Sequence, residues 1–296
     1  MKILVTGADG QLARSLVERA QGRSDIDLVA VGRPQLDLAV AGSALAAIEA
    51  IRPQVVINAA AYTAVDKAED ESDLAFRINS EAAGEVAAAA ARAGAAVVQI
   101  STDYVFDGRG QGPYDESCPT NPLGVYGRSK LEGEERVRAA NPRHAIVRTA
   151  WVYSPFASNF VKTMMAAARA RDVLNVVADQ VGSPTSAFDL ADGLLCMAAN
   201  WNHEPDHGMG ATYHLAGTGQ TSWCGLAEFV MSECRARSLA AAEIHPIKTA
   251  DWPTRALRPA NSVLDSRKFE REFDYAIPDW RDSVAHVVDR LATEGV

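Results

Sequence analysis

The chain begins with MKILVTGADGQLA, residues 1–13, in which an apolar strand pattern runs into a glycine-containing turn and then into a helical pattern. Gly7 permits a tight turn, Gly10 lets the backbone approach a pyrophosphate, and the small Ala13 allows the helix to pack against the strand. The free N–H groups and the positive dipole end of that helix favour an anion. The stretch therefore predicts a strand, turn and helix that bind the pyrophosphate of a dinucleotide.

The segments that follow repeat this alternation. The strand patterns KILVTG, DLVAVG and QVVINAA are separated by helical patterns, one from about Gln11 to Ala20 and one through AGSALAAIEAI. The strands are apolar throughout, as a parallel sheet covered on both faces requires. Six strand candidates precede residue 154, enough for a complete dinucleotide-type sheet. The sequence therefore predicts an α/β fold with a Rossmann-type doubly wound parallel sheet in residues 1–155.

The second half of the chain follows a looser pattern. It contains two helical patterns, FASNFVKTMMAAARA and DLADGLLCMAAN, a strand pattern TYHLAG and a Pro-rich, aromatic closing third. We predict that residues 156–296 mainly form a smaller C-terminal α/β domain that binds substrate, and that segments at about 187–218 return to the main sheet.

The composition is typical of a soluble globular protein. Of the 296 residues, 48% are hydrophobic and 23% are charged, and the net charge of −9 argues against binding to nucleic acid. The apolar runs are too short or too interrupted to span a bilayer, and the first strand begins without a signal-peptide pattern, so we expect a cytoplasmic protein. The four cysteines form no CxxC pair, and the acidic run DKAEDESD at residues 66–73 is interpreted as a solvated loop and helix start.

The end of the second strand indicates which dinucleotide binds. An acidic residue there favours NAD, whereas a nearby Arg accommodates the 2′-phosphate of NADP. Here the strand ends in AVGRPQLDL, with Gly32 and Arg33 in place of an acid. This favours NADPH over NADH. The alternative is that Arg33 is a surface residue and that Asp37 and Leu38 line the adenine side for either cofactor.

Tyr126 and Lys130, in the stretch YGRSK, lie one turn apart on a predicted helix and face the same direction. The stretch STDYVFDG ends an earlier strand at the same sheet edge, so that Ser101 or Thr102 can hydrogen-bond a substrate carbonyl. A lysine ammonium stabilises a nearby phenolate, and Lys130 can also hold the nicotinamide ribose. These residues predict a reductase in which a nicotinamide delivers hydride to a carbonyl carbon while Tyr126 protonates the oxygen.

Longer motifs make this prediction more specific. STDYVFDG, YGRSKLEGE, RTAWVY and DQVGSPT occur in this order along the chain. With them the sequence resembles the extended short-chain dehydrogenase/reductase family and, within it, the dTDP-4-dehydrorhamnose reductases. The resemblance covers nearly the whole chain, whereas the glycine turn and YxxxK by themselves identify only the larger family.

The resemblance implies an activity and a set of site residues. The activity is NADPH- or NADH-dependent reduction of the 4-keto group of dTDP-4-dehydro-6-deoxy-L-mannose to dTDP-L-rhamnose, for lipopolysaccharide or O-antigen biosynthesis. Tyr126 is the implied proton donor, Lys130 its partner and ribose ligand, and Thr102 the hydroxyl that polarises the ketone. The implied cofactor contacts are Gly7, Gly10, Gln11 and Leu12 at the pyrophosphate, Asp37 and Leu38 at the adenosine, and Ala59, Ala60 and Ala61 beyond the third strand; the implied sugar-nucleotide contacts are Asp103, Tyr104 and Trp151.

Further candidates lie in the second half of the chain. Arg258 can meet a phosphate, because a guanidinium binds a diphosphate through two parallel hydrogen bonds, or it can form a surface ion pair. Four other residues are expected to shape the sugar pocket or to build its loops, namely Asn159, Gln180, Pro184 and Thr185.

The chain departs from the family pattern at two places. Ala13 replaces the third glycine of the turn, a small-for-small change that leaves nucleotide binding intact. Ser15 and Phe188 stand where some members carry acidic residues associated with a divalent metal at a dimer contact. We therefore predict no metal, and either a monomer or a homodimer formed in another way.

Two other functions stay open at this point. A related nucleotide-sugar 4-ketoreductase sets the opposite stereochemistry at C4 and gives dTDP-6-deoxy-L-talose. A non-catalytic regulatory subunit of the same fold, such as the β subunit of eukaryotic methionine adenosyltransferase, is the other alternative. The presence of Thr102, Tyr126 and Lys130 argues against a subunit without catalysis.

Overall fold

The structure, a computed structural model, describes residues 1–295. The strands are β1 (Lys2–Thr6), β2 (Asp27–Val31), β3 (Val55–Asn58), β4 (Ala96–Thr102), β5 (His144–Thr149), β6 (Val152–Tyr153), β7 (Val173–Val177), β8 (Val181–Gly182), β9 (Thr185–Ser186), β10 (Ala211–His214), β11 (Thr221–Ser222), β12 (Glu243–Ile247) and β13 (Asn261–Ser262). The α-helices are α1 (Gln11–Ala20), α2 (Ser43–Ile51), α3 (Val65–Ala68), α4 (Ser72–Phe76), α5 (Ala82–Arg92), α6 (Val125–Ala140), α7 (Phe160–Ala168), α8 (Ala187–His203), α9 (Trp223–Ala236), α10 (Arg267–Phe273) and α11 (Trp280–Thr293).

A six-stranded parallel sheet forms the centre of the molecule. Its order is β10-β5-β4-β3-β1-β2, and Leu4 of β1 pairs with Val29 of β2 on one side and Val56 of β3 on the other. After β1 the chain forms β2 on one side of β1 and then β3 on the other side. The boundary between β1 and β3 is therefore the topological switch point, where such sheets bind ligands. The predicted doubly wound parallel sheet is confirmed.

Helices cover both faces of this sheet because its strand residues are apolar on both sides. Ile3 and Val5 pack with α1 and α8 in one core, whereas Leu4 between them packs with α2, α5 and α6 in a second core. All three side chains are fully buried, and each such burial stabilises the fold by about 1.5–3 kcal/mol. The two cores hold β1 firmly, so that the turn after Thr6 has a fixed position.

The prediction that HAIVRTAWVY forms a single strand is wrong. β5 ends at Thr149, because Trp151 adopts the left-handed conformation with a φ of 47°, and β6 then pairs with β9 outside the main sheet. The sixth strand of the main sheet is β10, whose Ala211 pairs with Ala145 of β5. Six main-sheet strands are therefore complete only at residue 214, not by residue 153.

The second half of the chain builds a smaller unit with its own core. Helices α7, α9 and α11 enclose a cluster that includes Met165, Val230 and Val287, and β7 and β12 form a parallel pair beside them. A three-stranded sheet, β11-β8-β13, lies next to β6 and β9. The chain reaches back to the main sheet through α8 and β10. Within residues 1–295, no helix combines the length and the hydrophobicity needed to cross a bilayer.

Candidate active site

The turn after β1 is shaped to receive an anionic group. Gly7 has a φ of 82°, and its N–H donates to the Val31 carbonyl at 2.8 Å. A Cβ on Gly7 would lie 3.1 Å from the Ala60 Cβ, and a Cβ on Gly10 would lie 3.1 Å from the Gly7 carbonyl oxygen. Gly10 is the N-cap of α1, and no side chain caps this end of the helix. The exposed backbone and uncapped N–H groups fit a dinucleotide pyrophosphate.

The side chains of Gln11 and Leu12 point away from this turn. Leu12 is buried in the core beneath α1. Gln11 reaches into the second half of the chain, where its Oε1 accepts hydrogen bonds from Ser154 Oγ at 2.9 Å and Asn159 Nδ2 at 3.0 Å. Asn159 also caps α7, since its Oδ1 accepts from the Lys162 N–H. At this turn Gln11 and Leu12 therefore offer only their backbone to the predicted ligand, and the Gln11 side chain joins the two halves.

The loop after β2 offers a free cation at the adenosine end of the predicted cofactor site. Arg33 is exposed and forms no ion pair with any residue in the described range 1–295. Asp37 Oδ1 accepts a hydrogen bond from the Ala39 N–H at 3.0 Å, and Leu38 is buried. A phosphate can therefore approach Arg33 without breaking an existing ion pair, whereas Asp37 already supports its own turn.

The small residues Ala59, Ala60 and Ala61 follow β3 at the switch point. All three are half-buried, and the Ala60 N–H donates to Thr6 Oγ1 at 3.0 Å. The predicted cofactor contacts of these residues therefore lie directly across from the glycine turn, where the absence of large side chains leaves the sheet edge open.

Helix α6 brings Tyr126 and Lys130 to the carboxyl edge of the sheet. Tyr126 is half-buried, and its ring makes an edge contact with Tyr104 at a centroid distance of 5.6 Å. Burial raises the pKa of Tyr126 to about 12, although a hydrogen bond with Thr102 opposes the shift. At neutral pH the phenol therefore keeps its proton, as an acid that donates to a ketone oxygen must.

Lys130 is held beneath the tyrosine by the backbone of β4. Its side chain is almost fully buried, and Nζ donates to the Ile100 carbonyl at 2.6 Å. Burial lowers the pKa of Lys130 to about 8, and the negative charge of Glu134 acts in the opposite direction. A buried row of hydrogen bonds runs towards it from β1, through Thr6, Asn58 and Gln99, to the same Ile100 carbonyl.

The two hydroxyls at the end of β4 face opposite sides of the sheet, as neighbouring strand residues must. Ser101 Oγ donates to Glu134 at 2.6 Å and is therefore already engaged. Thr102 contacts Tyr126, and its hydroxyl donates to Asp103 Oδ1 at 2.8 Å. Of the two predicted hydroxyls, the structure brings only Thr102 to the tyrosine.

Asp103 has a buried carboxylate that is only partly satisfied. Its Oδ2 atom has no partner with full hydrogen-bond geometry in the part of the chain that the structure describes. Burial raises the pKa of this carboxyl to about 6, and the nearby hydroxyls of Thr102 and Ser262 act in the opposite direction. Tyr104 next to it is half-buried, and burial raises the pKa of that phenol as well. A buried carboxylate oxygen of this kind favours a donor supplied by a ligand.

Trp151 lies in the chain between β5 and β6. Its indole is half-buried and lies against β8, because a Cβ on Gly182 would come within 2.4 Å of the Trp151 Cε2 atom. Of the other predicted pocket residues, Gln180 and Pro184 lie in loops and Thr185 begins β9. Gln180 Nε2 donates to Thr249, and Thr185 Oγ1 accepts from the Gly217 N–H.

Several residues in the acidic run at 66–73 have structural partners that the sequence did not indicate, and two of them bear on the site. Glu69 Oε1 accepts from the Val125 N–H at 2.7 Å and so caps the first turn of α6. Asp66 binds both terminal nitrogens of Arg258, at 3.1 and 2.8 Å. The predicted helix start in this run is confirmed by α3 and α4, but the run is not only solvated, since Asp66 and Glu69 hold other segments in place. Arg258 forms an ion pair rather than standing free for a phosphate.

Asn79 is a further residue that sequence reasoning missed. It lies in a π-helical segment, Arg77–Glu81, and its side chain contacts the backbone of Tyr62 at 2.8 and 3.1 Å and the Ser129 hydroxyl at 3.0 Å. It thereby ties the loop after β3 to the helix that carries Lys130. A buried polar residue inside the Ala-rich pattern RINSEAA was the available signal.

The two positions associated with a metal in some relatives are internal here. Ser15 and Phe188 are buried, and Ser15 Oγ donates to the Gln11 carbonyl at 2.9 Å. Across residues 1–295, no group of three or more His, Cys, Asp or Glu side chains could hold a metal ion.

Comparisons with known proteins agree with this geometry. The model of the RmlD substrate binding domain family matches residues 1–293. A dTDP-4-dehydrorhamnose reductase from Sinorhizobium fredii is 44% identical over 100% of this chain and 99% of its own. The crystal structure of such a reductase from Clostridium acetobutylicum is similar, with a TM-score of 0.90 and 39% identity over 99% of this chain and 100% of that one. One from Bacillus anthracis, in complex with NADP, has a TM-score of 0.88 and 34% identity over 98% and 99%. The chain belongs to the dTDP-4-dehydrorhamnose reductase family.

Proposed function

We propose that this protein reduces the 4-keto group of dTDP-4-dehydro-6-deoxy-L-mannose to dTDP-L-rhamnose with a nicotinamide cofactor. The observation that carries the proposal is the convergence of Tyr126, Lys130 and Thr102 on one sheet edge, beside a glycine turn that fits a pyrophosphate. In a chain of this family, that convergence supports carbonyl reduction rather than a non-catalytic role.

The residues of the chain account for the proton that carbonyl reduction requires. A bound dihydronicotinamide supplies the hydride that adds to the carbonyl carbon. Tyr126 donates its phenolic proton to the carbonyl oxygen, so that one hydride and one proton together convert C=O into CH–OH. The Thr102 hydroxyl, which donates to Asp103 in the structure, donates instead to the carbonyl oxygen of the substrate and polarises the carbonyl group. Lys130 stabilises the phenolate that remains until solvent restores its proton.

The sugar nucleotide is proposed to lie between Asp103 and Tyr104 on one side and Trp151 on the other. The unpartnered Oδ2 of Asp103 supports a sugar hydroxyl as its donor, and the indole of Trp151 supports an apolar contact with a deoxy sugar. The two halves of the chain are proposed to divide the work: residues 1–155, with about 187–218, bind the cofactor, and the rest of 156–296 binds substrate. A monomer or homodimer in the cytoplasm belongs to the same proposal.

NADPH is the proposed cofactor, with NADH as the alternative. The exposed, unpaired Arg33 supports a 2′-phosphate contact, and a relative from Bacillus anthracis was crystallised with NADP. Arg33→Asp should shift the ratio of kcat/KM values for NADPH and NADH by about tenfold or more towards NADH, because an acidic residue there repels the phosphate and accepts the ribose hydroxyl. Steady-state kinetics with both cofactors measure this, and an unchanged ratio removes Arg33 from the cofactor site.

The function is tested by identifying the product. The keto sugar is generated from dTDP-glucose by a 4,6-dehydratase and an epimerase, the protein and NADPH are added, and the product is assigned by NMR. dTDP-L-rhamnose is expected. No oxidation of NADPH in the presence of the keto sugar would overturn the reductase proposal, whereas dTDP-6-deoxy-L-talose would overturn only the stereochemistry.

A further inference from the structure

A stack of two tryptophans lies beside the candidate site. The ring centroids of Trp151 and Trp223 are 3.5 Å apart with an interplanar angle of 6°, and the Phe160 ring lies 4.7 Å from that of Trp223. Both indoles are half-buried, so the pair leaves aromatic surface accessible. No site motif includes Trp223, and nothing in the proposed chemistry uses it.

The backbone of Trp151 does not by itself fix the indole. The residue adopts the left-handed region, with a φ of 47°, which is unfavourable for a residue with a side chain. Its carbonyl accepts a hydrogen bond from the Thr185 N–H at 3.2 Å. The ring itself rests on the Gly182 backbone and on the face of Trp223. Trp223 is therefore the one side chain that stacks on the Trp151 ring face to face among residues 1–295.

The small sheet of the second half positions both supports together. Thr221 of β11 pairs with Gly182 of β8, and Trp223 follows β11 directly as the first residue of α9. Ser222 fixes the start of this helix, because its hydroxyl accepts from the Gly225 N–H at 3.0 Å. The pairing of β11 with β8 thus sets the distance between Gly182 and the indole of Trp223, and the Trp151 ring lies against both.

We propose that Trp223 is a positioning residue for the sugar-nucleotide pocket, holding the indole of Trp151 in place as an apolar wall. This inference rests on the proposed function, since Trp151 is the residue that meets the substrate. Trp223 acts on substrate binding and not on the cofactor or on the proton donor, because its aromatic contacts are with Trp151 and Phe160. Stacked aromatic pairs contribute about 0.5–1.5 kcal/mol beyond their burial, and the upper end of this range corresponds to roughly a tenfold change in affinity.

The test compares three variants in the full chain. Trp223→Leu removes the stacking plane, Trp223→Phe keeps part of it, and Phe229→Leu is the control on the same helix, where the Phe229 ring packs 5.2 Å from Trp280 instead. Trp223→Leu should raise the KM for the keto sugar about tenfold, with the kcat and the KM for NADPH close to their original values. Trp223→Phe should restore most of the affinity, and Phe229→Leu should leave both KM values unchanged.

Circular dichroism reports the stack independently of activity. Two indoles stacked face to face couple their electronic transitions and give paired bands of opposite sign, which Trp223→Leu should abolish and Phe229→Leu should keep. Loss of these bands in a folded Trp223→Leu protein with an unchanged KM would overturn the inference. A fall in kcat at constant KM would also overturn it.

The outcome can be separated from failure of the proposed function. If the original chain does not turn over the keto sugar, the proposed reaction fails, and titration with dTDP-L-rhamnose by calorimetry then decides the role of Trp223. A dissociation constant about tenfold higher for Trp223→Leu than for the original chain supports the role of Trp223 in positioning the Trp151 indole. Equal dissociation constants, or no binding to either protein, reject it.

Discussion

Helix α6 has a reactive end, the first turns with Tyr126 and Lys130, and a structural end, the later turns with Glu134. The two ends differ in how completely their ionisable groups are hydrogen-bonded. In the first turns, Tyr126 and Lys130 have few partners: the ammonium holds one backbone carbonyl, and the phenol shares one contact with Thr102. One turn further, Glu134 is fully buried but receives hydrogen bonds from Ser101 and from both Arg148 and Arg138.

This difference separates reactive groups from structural ones on a single helix. The pKa of Lys130 falls and that of Tyr126 rises because burial is only partly compensated. The pKa of Glu134 stays below its ordinary value, although burial opposes this, because two guanidinium groups and a hydroxyl surround the carboxylate. Incomplete pairing at one end leaves protons available for transfer, and complete pairing at the other end holds the helix on β4 and β5.

The strongest test of the reactive end is Tyr126→Phe. Removing the only phenolic oxygen of α6 should lower kcat by about 10²-fold or more, the scale of lost acid catalysis. The ring and its contact with Tyr104 remain, so the free energy of unfolding and the binding of NADPH should be nearly unchanged. Steady-state kinetics, fluorescence titration and urea unfolding measure these three quantities. Retained turnover would assign the proton donor to another residue.

At the structural end, Arg148→Met should destabilise the fold by about 3–5 kcal/mol, because it breaks the buried ion pair and leaves the Glu134 carboxylate with only the partly exposed Arg138 and the Ser101 hydroxyl as partners. Urea unfolding followed by circular dichroism gives the change. The control is Arg136→Met on the same helix, whose ion pair with Glu132 is largely exposed and should contribute no more than about 1 kcal/mol. Equal losses in the two variants would show that burial does not distinguish the two ends.

The pH dependence of the reaction tests the partial pairing of Lys130. Its pKa of about 8 places the loss of the ammonium charge on the alkaline side of neutrality. Below this pH the lysine is charged and supports the tyrosine; above it, kcat/KM should fall about tenfold per pH unit, as for any single ionisation in the free enzyme. The variant Lys130→Met should be slower and should lose this alkaline limb. A profile that stays flat to pH 10 would contradict the role given to the lysine charge.

The smallest expected effect concerns the cap that fixes the start of α6. Glu69→Gln keeps an acceptor but removes the charge beside the helix N-terminus, and Glu69→Ala removes both. Glu69→Ala should cost about 1 kcal/mol of unfolding free energy, and Glu69→Gln less. The control is Asp70→Asn, whose pair with Arg255 is exposed. If Glu69→Ala changes the unfolding midpoint no more than Asp70→Asn does, the cap has no part in positioning Tyr126.

Local patterns in the sequence were sufficient to predict the class of fold and to propose the central site residues. Apolar strands and a glycine turn predict a doubly covered parallel sheet, because each of these features is a property of neighbouring residues. Tyr126 and Lys130 could be predicted from motif spacing, since two residues four apart on a helix lie one turn apart on the same face and the ends of parallel strands meet at one edge.

Other features depend on contacts between residues that are distant in the chain. The left-handed Trp151, which ends β5 early, is seated by Gly182 and Trp223. Ser101 and Thr102 look equivalent as hydroxyls, and only the position of Glu134 behind β4 separates them. Their selection required the assembled sheet and helices.

The sequence by itself determined the alternation of strands and helices, the phosphate turn and the pair Tyr126 and Lys130, because periodicity and spacing are local. The tertiary structure alone decided that Glu69 caps α6, that Asp66 pairs with Arg258 and that β10 completes the sheet. Each of these joins segments more than fifty residues apart, and no local pattern encodes which of many similar acids, arginines or short strands will meet.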